Sequence, residues 1–301
     1  MDIPNQKVEL PILNEKGITL YVKREDTIHP IISGNKYRKL KYNLHEAKKL
    51  GQDTLLTFGG AFSNHIAATA YAGKKEGLKT IGIIRGEELK NNWHENPTLK
   101  LAQANGMDLH FVSRSDYRKK NSIAFLQNLN AKFDLCYLIP EGGTNELAVK
   151  GCEEILTKAD TQFDIICSCV GTGGTLAGLI NSAQPHQTVL GFPALKGNFL
   201  KEDILKFAQN DNWKLIAEYH FGGYAKVDSS LIEFINSFKR ETSIPLDPIY
   251  TGKMFFGVFD MIKKDVFKRG TQILVIHTGG LQGIDGMNPV LKKKNLPLLD
   301  L

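Results

Sequence analysis

Short apolar runs alternate with longer amphipathic stretches along most of the chain. Apolar runs bounded by glycine or polar turns predict buried strands, and the Ala-rich or 3.6-periodic stretches between them predict helices. The predicted strands are residues 54–58, 80–84, 108–112, 136–139, 164–170, 188–192, 214–218 and 272–277. The predicted helices are residues 37–49, 63–75, 97–105, 123–129, 145–158, 175–182, 199–209, 231–240 and 253–263.

This alternation predicts an α/β fold. Strands that are apolar throughout are typical of parallel sheets covered by helices on both faces. Ligands of such sheets bind outside the carboxyl ends of the strands. We therefore expect the functional residues to follow the predicted strands directly.

Glycine pairs stand at these positions. The chain has five pairs, and all but the fourth follow a predicted strand: Gly59-Gly60, Gly142-Gly143, Gly173-Gly174, Gly222-Gly223 and Gly279-Gly280. Glycine at a strand exit lets the backbone turn sharply or approach a ligand closely. A single pair would fit an ordinary turn equally well, but four pairs at strand ends indicate the rim of a binding site.

Composition and charge narrow the class of protein. The chain has 301 residues, of which 42% are hydrophobic, enough for a substantial core. It lacks the run of about 18 apolar residues that a membrane span needs and the pattern of a secretory signal, so we expect a cytoplasmic protein. The net charge, 38 − 32 = +6, is mild and scattered, which favours small anionic ligands over nucleic acid.

Several common motifs are missing from the sequence. A dinucleotide fingerprint fails because Leu176 occupies the third glycine position after Gly171 and Gly173. Neither a Walker A pattern nor a His-Glu-x-x-His pattern occurs, and the histidines show no ligand spacing, so no metal site is predicted. The four cysteines are expected to be reduced core residues.

The loop Gly171-Thr172-Gly173-Gly174-Thr175 joins a predicted strand to a predicted helix. Backbone N–H groups and hydroxyls at a helix N-terminus form an anion site, especially for phosphate. The loop contains no lysine and no acid for Mg²⁺, so a phosphate here would be an anchor and would not be transferred. A tight turn with a threonine cap is the alternative interpretation.

Lys36 stands where an extended segment gives way to the helix predicted over residues 37–49. The positive end of a helix dipole favours loss of the lysine proton and so an amine nucleophile. From the residue pattern alone, a solvated surface lysine is the more common outcome.

Six short motifs occur in a fixed order: Lys23-Arg-Glu-Asp26, Gly34-Asn-Lys-x-Arg-Lys-Leu40, Ser63-Asn-His65, Gly171-Thr-Gly-Gly-Thr175, Tyr250-Thr-Gly-Lys253 and His277-Thr-Gly-Gly280. Together they resemble the pyridoxal-phosphate enzymes of the 1-aminocyclopropane-1-carboxylate deaminase / D-cysteine desulfhydrase family, which have the tryptophan-synthase-β-like fold (fold type II). The resemblance covers about residues 20–280. It implies a large cofactor domain (1–46 plus 161–301), a smaller inserted α/β domain (47–160), a cofactor cleft between them, and a homodimer.

The resemblance also implies which residues hold pyridoxal 5′-phosphate. Lys36 would form the covalent link and act as the catalytic base, and the loop from Gly171 to Thr175 would hold the phosphate. Asn64 would bond the pyridine 3′-hydroxyl. Thr251 and Thr278 would lie near the pyridine nitrogen.

On the substrate side, the resemblance implies Ser63 as a nucleophile or carboxylate contact, with Asn64 and His65 beside it. Tyr250 is implied as a catalytic and substrate-binding residue, and Tyr224 as a further contact. The substrate would be a small amino acid.

Thr251 and Thr278 favour one branch of the family. Similar deaminases carry Glu at the position of Thr251 and Leu at that of Thr278, whereas desulfhydrase-like members carry Thr at both. A carboxylate keeps the pyridine nitrogen protonated, whereas a hydroxyl leaves it neutral and the electron sink weaker. Loss of a good leaving group can proceed with the weaker sink, so we expect β-elimination of D-cysteine to pyruvate, ammonia and sulfide.

Four alternatives stay open. Deamination of 1-aminocyclopropane-1-carboxylate to 2-oxobutyrate and ammonia is the first, and another reaction on the same cofactor, such as racemisation, is the second. A nucleotide-binding α/β module without chemistry is the third. A catalytically silent family member is the fourth, and the presence of Lys36, Ser63, Asn64 and Tyr250 together argues against it. The substrate is the open question because Phe62 replaces the family's usual Gln and the segment 280–286 departs from the family's usual ending.

Overall fold

The computed structural model describes residues 3–32, 34–197 and 199–300, and for Asp285 the backbone alone. Its strands are β1 Asn5–Lys7, β2 Thr19–Lys23, β3 Thr54–Gly59, β4 Lys79–Arg85, β5 Met107–Val112, β6 Tyr137–Ile139, β7 Ile165–Val170, β8 Thr188–Pro193, β9 Trp213–Leu215 and β10 Gln272–Ile276. Its helices are α1 Pro11–Lys16, α2 Asn35–Lys49, α3 Asn64–Glu76, α4 Pro97–Ala104, α5 Arg114–Arg118, α6 Ile123–Phe133, α7 Glu146–Glu153, α8 Gly174–Ser182, α9 Phe199–Leu205, α10 Ser229–Thr242, α11 Thr251–Lys263 and α12 Ile284–Lys293.

The strands form two sheets. The larger has the order β1-β2-β10-β7-β8-β9 and is parallel except for the edge strand β1, which pairs antiparallel with β2. The smaller has the order β5-β4-β3-β6 and is parallel throughout. The prediction of an α/β fold with two parallel sheets is therefore confirmed, with one antiparallel edge added.

Each sheet has its own hydrophobic core. The larger sheet is covered on one face by α10 and α11, whose Leu231, Phe238 and Phe255 are buried, and on the other by α8. The smaller sheet packs against α3 through Ile66 and Ala68. Burial on both faces explains why the strands read as continuous apolar runs.

The structure shifts several predicted bounds. The strand predicted over residues 214–218 is the short β9, followed by a 3₁₀ turn over Ala217–Tyr219. The helix predicted over 145–158 ends at Glu153, and the one predicted over 199–209 ends at Leu205. Five of these strands and helices were not predicted: β1, β2, α1, α5 and α12.

Lys23 shows why β2 escaped prediction. It ends the strand and is 1% exposed, and its ammonium donates to Asp160 at 2.8 Å. A charged residue at the end of an apolar run suggests a solvated turn, whereas this charge is neutralised inside the protein. Among the described residues, no helix is long and apolar enough to cross a membrane.

Candidate active site

Lys36 is the second residue of α2. The turn before it requires glycine, because Gly34 has φ +61° and a Cβ there would lie 1.8 Å from the carbonyl oxygen of Thr278. The Lys36 ammonium points toward the carbonyl of Gly142, with Nζ 3.4 Å from the oxygen. Burial lowers the pKa of Lys36, which favours the neutral amine that a Schiff-base lysine needs.

Lys39 lies one turn further along α2 and was not singled out from the sequence. It is 2% exposed. Its Nζ donates to the Gly142 carbonyl at 2.9 Å, to the Thr144 hydroxyl at 3.0 Å and to the Thr172 hydroxyl at 3.5 Å. Burial and then the neighbouring Lys36 lower the pKa of Lys39 to about 7. Its spacing of three residues from Lys36, on the same helix face, was the available signal.

The predicted phosphate loop lies against these lysines. β7 ends at Val170, Gly173 adopts φ +84°, and α8 begins at Gly174 with its first N–H groups facing the loop. The Thr172 hydroxyl contacts the Thr144 hydroxyl at 2.5 Å, and the Asn35 amide donates to the Thr175 hydroxyl at 2.8 Å. A helix N-terminus, hydroxyls and a buried ammonium converge here, which is the donor set that a phosphate prefers.

The sequence analysis gave the Gly142-Gly143 pair no specific role. Both residues have positive φ, and the Gly142 carbonyl accepts hydrogen bonds from Lys36 and Lys39. A Cβ at Gly142 would come within 2.8 Å of the Thr172 side chain. The pair therefore brings the end of β6, in the smaller sheet, against the phosphate loop of the larger sheet.

The Ser63-Asn64-His65 motif begins α3. Ser63 is the N-cap, and its hydroxyl accepts from the Ile66 N–H at 3.4 Å. Asn64 lies beside Gly280, and its Oδ1 is buried without a hydrogen-bond partner in the described chain. A buried unsatisfied carbonyl oxygen is costly unless a ligand supplies a donor.

His65 lies deeper than the substrate side predicted for it. It is 1% exposed and packs against Gly143, and its Nε2 is 2.7 Å from the Thr57 hydroxyl. Because that hydroxyl donates its proton to the Ile139 carbonyl, Nε2 carries the histidine proton and Nδ1 is an acceptor. Burial and the nearby lysines hold the pKa of His65 well below its usual value, so the ring is neutral.

Tyr224 and Tyr250 are brought together from distant segments. Their rings meet edge to face with centroids 6.1 Å apart, and Tyr250 packs over Gly171. Burial raises the pKa of both phenols. Tyr224 raises the pKa of Tyr250 further, whereas the hydrogen bond with Tyr250 partly offsets the rise at Tyr224. Both hydroxyls are therefore protonated at neutral pH and can donate hydrogen bonds.

Thr251 is held by a carboxylate that the sequence analysis missed. Asp247 is 2% exposed, and its Oδ1 accepts from the backbone N–H groups of Ile249 and Tyr250. Its Oδ2 accepts from the backbone N–H of Thr251 at 2.9 Å and from the Thr251 hydroxyl at 2.7 Å. The only hydroxyl proton of Thr251 is thus already donated to Asp247.

Thr278 has a different environment. Its hydroxyl lies 3.0 Å from the Cys169 thiol, a weak hydrogen-bonding group, and it is 6% exposed. Burial raises the pKa of Cys169 to about 12, so the neighbour is a neutral thiol. Of the two predicted threonines, Thr278 is the one whose hydroxyl is not committed to a carboxylate.

The two departures from the family pattern contact each other. Phe62, 37% exposed, lies just before Ser63, and a Cβ at Gly286 of α12 would come within 2.7 Å of its ring. Residue 62 and Gly286 therefore lie on one surface, next to the Ser63 predicted to contact the substrate.

These residues fit pyridoxal phosphate. Lys36 and Lys39 share one carbonyl, and in the described chain neither forms an ion pair with a carboxylate. The Lys39 amino group lies beside Gly174 at the N-terminus of α8, and this pairing favours an anionic ligand. The unsatisfied Asn64 oxygen can accept from a ligand hydroxyl. The described residues contain no cluster of three or more His, Cys, Asp or Glu side chains suited to a metal.

Comparisons with known proteins agree with this chemistry. The family described as "Pyridoxal-phosphate dependent enzyme" matches residues 3–279. A Pyrococcus horikoshii protein named "Putative 1-aminocyclopropane-1-carboxylate deaminase" is 33% identical over 292 residues, covering 90% of this chain and 87% of that protein. An Arabidopsis thaliana protein named "Bifunctional D-cysteine desulfhydrase/1-aminocyclopropane-1-carboxylate deaminase, mitochondrial" is 32% identical over 311 residues, covering 93% and 77%.

A crystal structure of an "ACC deaminase homologue" superimposes with a TM-score of 0.83 at 29% identity, covering 97% of this chain and 94% of that one. The relatives cover nearly the whole chain, and their names span both activities. The chain therefore belongs to the pyridoxal-phosphate-dependent enzymes, in the family of 1-aminocyclopropane-1-carboxylate deaminases and D-cysteine desulfhydrases.

Proposed function

We propose that the enzyme eliminates sulfide from D-cysteine, or from a similar small amino acid with a leaving group on its β-carbon. The α C–H and β C–S bonds break, and water then hydrolyses the enamine to pyruvate and ammonia. Bound pyridoxal phosphate supplies the electron sink that stabilises negative charge at the α-carbon.

The environment of the two threonines is the observation that carries this proposal. Both Asp247 oxygens are occupied by the first turn of α11, so this carboxylate is not free to pair with a protonated pyridine. Thr278, with only the Cys169 thiol beside it, is the hydroxyl available to the ring nitrogen. A neutral nitrogen suits elimination of a good leaving group.

Lys36 is the proposed base. Its lowered pKa leaves a fraction of neutral amine that can take the α-proton near neutral pH. Lys39 and the loop from Gly171 to Thr175 would hold the phosphate, and Asn64 the 3′-hydroxyl. Ser63, at the N-terminus of α3, would orient the substrate carboxylate, because N–H groups and a hydroxyl meet there.

The phenols of Tyr250 and Tyr224 would act beside the leaving group. Both hold their protons at neutral pH, so either can donate a hydrogen bond to departing sulfide. Their edge-to-face contact fixes the two rings relative to each other.

A substrate panel tests the proposal. Purified holoenzyme is incubated with D-cysteine, L-cysteine and 1-aminocyclopropane-1-carboxylate, and sulfide, pyruvate and 2-oxobutyrate are measured. We expect sulfide and pyruvate from D-cysteine at a higher kcat/KM than 2-oxobutyrate from the cyclopropane acid. The reverse ranking would overturn the proposal.

Deamination of 1-aminocyclopropane-1-carboxylate is the second candidate, because the names of both relatives and of the superimposed structure include it.

We also propose that residues 47–160 form an inserted domain. This division is supported by the smaller sheet, because all four of its strands lie within residues 47–160. The proposed homodimer is testable by light scattering of the purified enzyme.

A further inference from the structure

Lys253 is a buried lysine for which the proposed chemistry has no use. It is the third residue of α11 and is 2% exposed. Burial lowers the pKa of Lys253 to about 8, and the Asp247 charge opposes that shift. A cation at a helix N-terminus is also disfavoured by the helix dipole, so its position requires compensating contacts.

Those contacts are two backbone carbonyls of one loop. The Lys253 Nζ donates to the His220 carbonyl at 2.9 Å and to the Gly223 carbonyl at 2.8 Å. The carbonyls belong to the segment 220–225, which carries Tyr224. Lys253 thus closes this loop onto α11 with its ammonium.

The loop has an unusual backbone. Phe221, Gly222, Gly223 and Ala225 have φ values of +54°, +88°, +118° and +56°. Positive φ is strained for the two residues that are not glycine, and such strain persists only where the surroundings fix it. Phe221 anchors one side of the loop by packing edge to face on Phe256, and the two Lys253 hydrogen bonds hold the backbone carbonyls on the other side.

The same turn of α11 positions both tyrosines. Tyr250 directly precedes the helix and packs over Gly171, while Lys253 fixes the loop of Tyr224, whose ring lies against Tyr250. Between them, Gly252 permits close packing, because a Cβ there would come within 2.5 Å of Ile235. Each residue of Tyr250-Thr-Gly-Lys253 therefore has a distinct contact.

We propose that Lys253 is a positioning residue, which holds the 220–225 loop so that Tyr224 meets Tyr250 on the substrate side. This inference rests on the proposed role of Tyr224 at the substrate. A displaced Tyr224 would misplace its hydroxyl relative to the leaving group, and errors of about 1 Å in such geometry can cost about a hundredfold in rate.

A double-mutant cycle tests the inference. Lys253→Met keeps the apolar stem and removes the donors, and Lys263→Met, at an exposed lysine on the same helix, is the control. We expect Lys253→Met to lower kcat/KM about tenfold or more in the Tyr224 enzyme, and less than about twofold in a Tyr224→Phe background. An equal loss in both backgrounds would overturn the proposal. If Lys253→Met does not fold, Lys253→Gln, whose shorter side chain weakens the contacts with both carbonyls, replaces it in the cycle, and its loss of kcat/KM should again depend on Tyr224.

Hydrogen exchange of the cofactor-free protein gives a second readout. The backbone amides of Gly223 and Lys226, which donate to His220 and Gly223, should exchange faster in Lys253→Met than in the Lys263→Met control. Unchanged exchange at both amides would contradict the proposal that Lys253 holds the 220–225 loop. Because this measurement uses no substrate, it stands even if D-cysteine proves not to be the substrate.

Discussion

The proposed phosphate end and the proposed substrate end of the site are built differently. At the phosphate end, Lys36 and Lys39 come from one helix, and their amino groups meet hydroxyls and a carbonyl at 2.9–3.5 Å. At the substrate end, Tyr224 and Tyr250 come from separate segments, and Phe62 replaces the expected residue.

This difference explains why short motifs in the sequence indicate the cofactor more directly than the substrate. A phosphate is recognised by a helix N-terminus and nearby cations, which a short local motif such as Gly171–Thr175 specifies. A small amino acid is recognised by side chains that distant segments bring together, so single substitutions there change specificity.

Substitution of Lys36 gives the largest expected effect. Lys36→Ala should abolish the covalent link with the cofactor and lower kcat by about a thousandfold or more, because the proposed base is lost. The cofactor absorbance of the purified protein and the yield of pyruvate check this. Lys49→Ala, an exposed lysine at the end of the same helix, is the control. A Lys36→Ala enzyme with native absorbance would contradict the assignment.

Lys39 tests the phosphate end alone. Pyridoxine 5′-phosphate has the phosphate but no aldehyde, so its binding does not depend on a covalent link to Lys36. Lys39→Met should weaken its binding about 10- to 100-fold, as expected for a charge-assisted hydrogen bond to phosphate. Isothermal titration measures it, with Lys41→Met as the exposed control. Equal affinity in both variants would remove Lys39 from the site.

Lys39 also predicts a pH dependence of stability in the cofactor-free protein. Its folded pKa is about 7, below the ordinary 10.5, so between these values the unfolded chain binds a proton that the folded chain does not. The free energy of unfolding should therefore rise with pH between these values. In Lys39→Met this rise should be smaller, because the contribution of Lys39 is absent. Urea titrations of both proteins at pH 7 and pH 10 measure how much the free energy of unfolding changes between the two pH values. The same change in both proteins would contradict the prediction.

The sequence predicted the α/β fold and most core elements, because strands buried on both faces are continuously apolar. It did not predict β2, whose Lys23 is neutralised by Asp160 far along the chain. It also could not separate Lys39 from other lysines, nor identify Asp247, whose role as the cap of α11 depends on the turn before that helix. Local patterns therefore fail at charged residues that the fold buries, because the contacts of those residues depend on the surrounding structure.

The two threonines should respond in different ways. Thr251→Val removes a donor from the buried Asp247 carboxylate, so we expect a loss of about 1–3 kcal/mol in the free energy of unfolding and little change in cofactor absorbance. Thr278→Val should shift the absorbance of bound cofactor and cost less stability, since its partner is a thiol. Urea titration and absorbance spectra of both variants distinguish them, and swapped results would place Thr251 at the pyridine nitrogen.

Phe62 gives the smallest expected effect and the sharpest test of the substrate end. Phe62→Gln restores the family's usual residue and removes a ring that contacts Gly286. One altered apolar contact typically changes specificity by about 1–3 kcal/mol, so the ratio of kcat/KM for D-cysteine to that for the cyclopropane acid should change severalfold or more. Binding of pyridoxine 5′-phosphate should stay the same, since the phosphate end is untouched. The opposite result would be a changed affinity for pyridoxine 5′-phosphate with an unchanged ratio of kcat/KM for the two substrates. It would contradict the independence of the two ends, because residue 62 would then act on the cofactor through the Ser63-Asn64 turn.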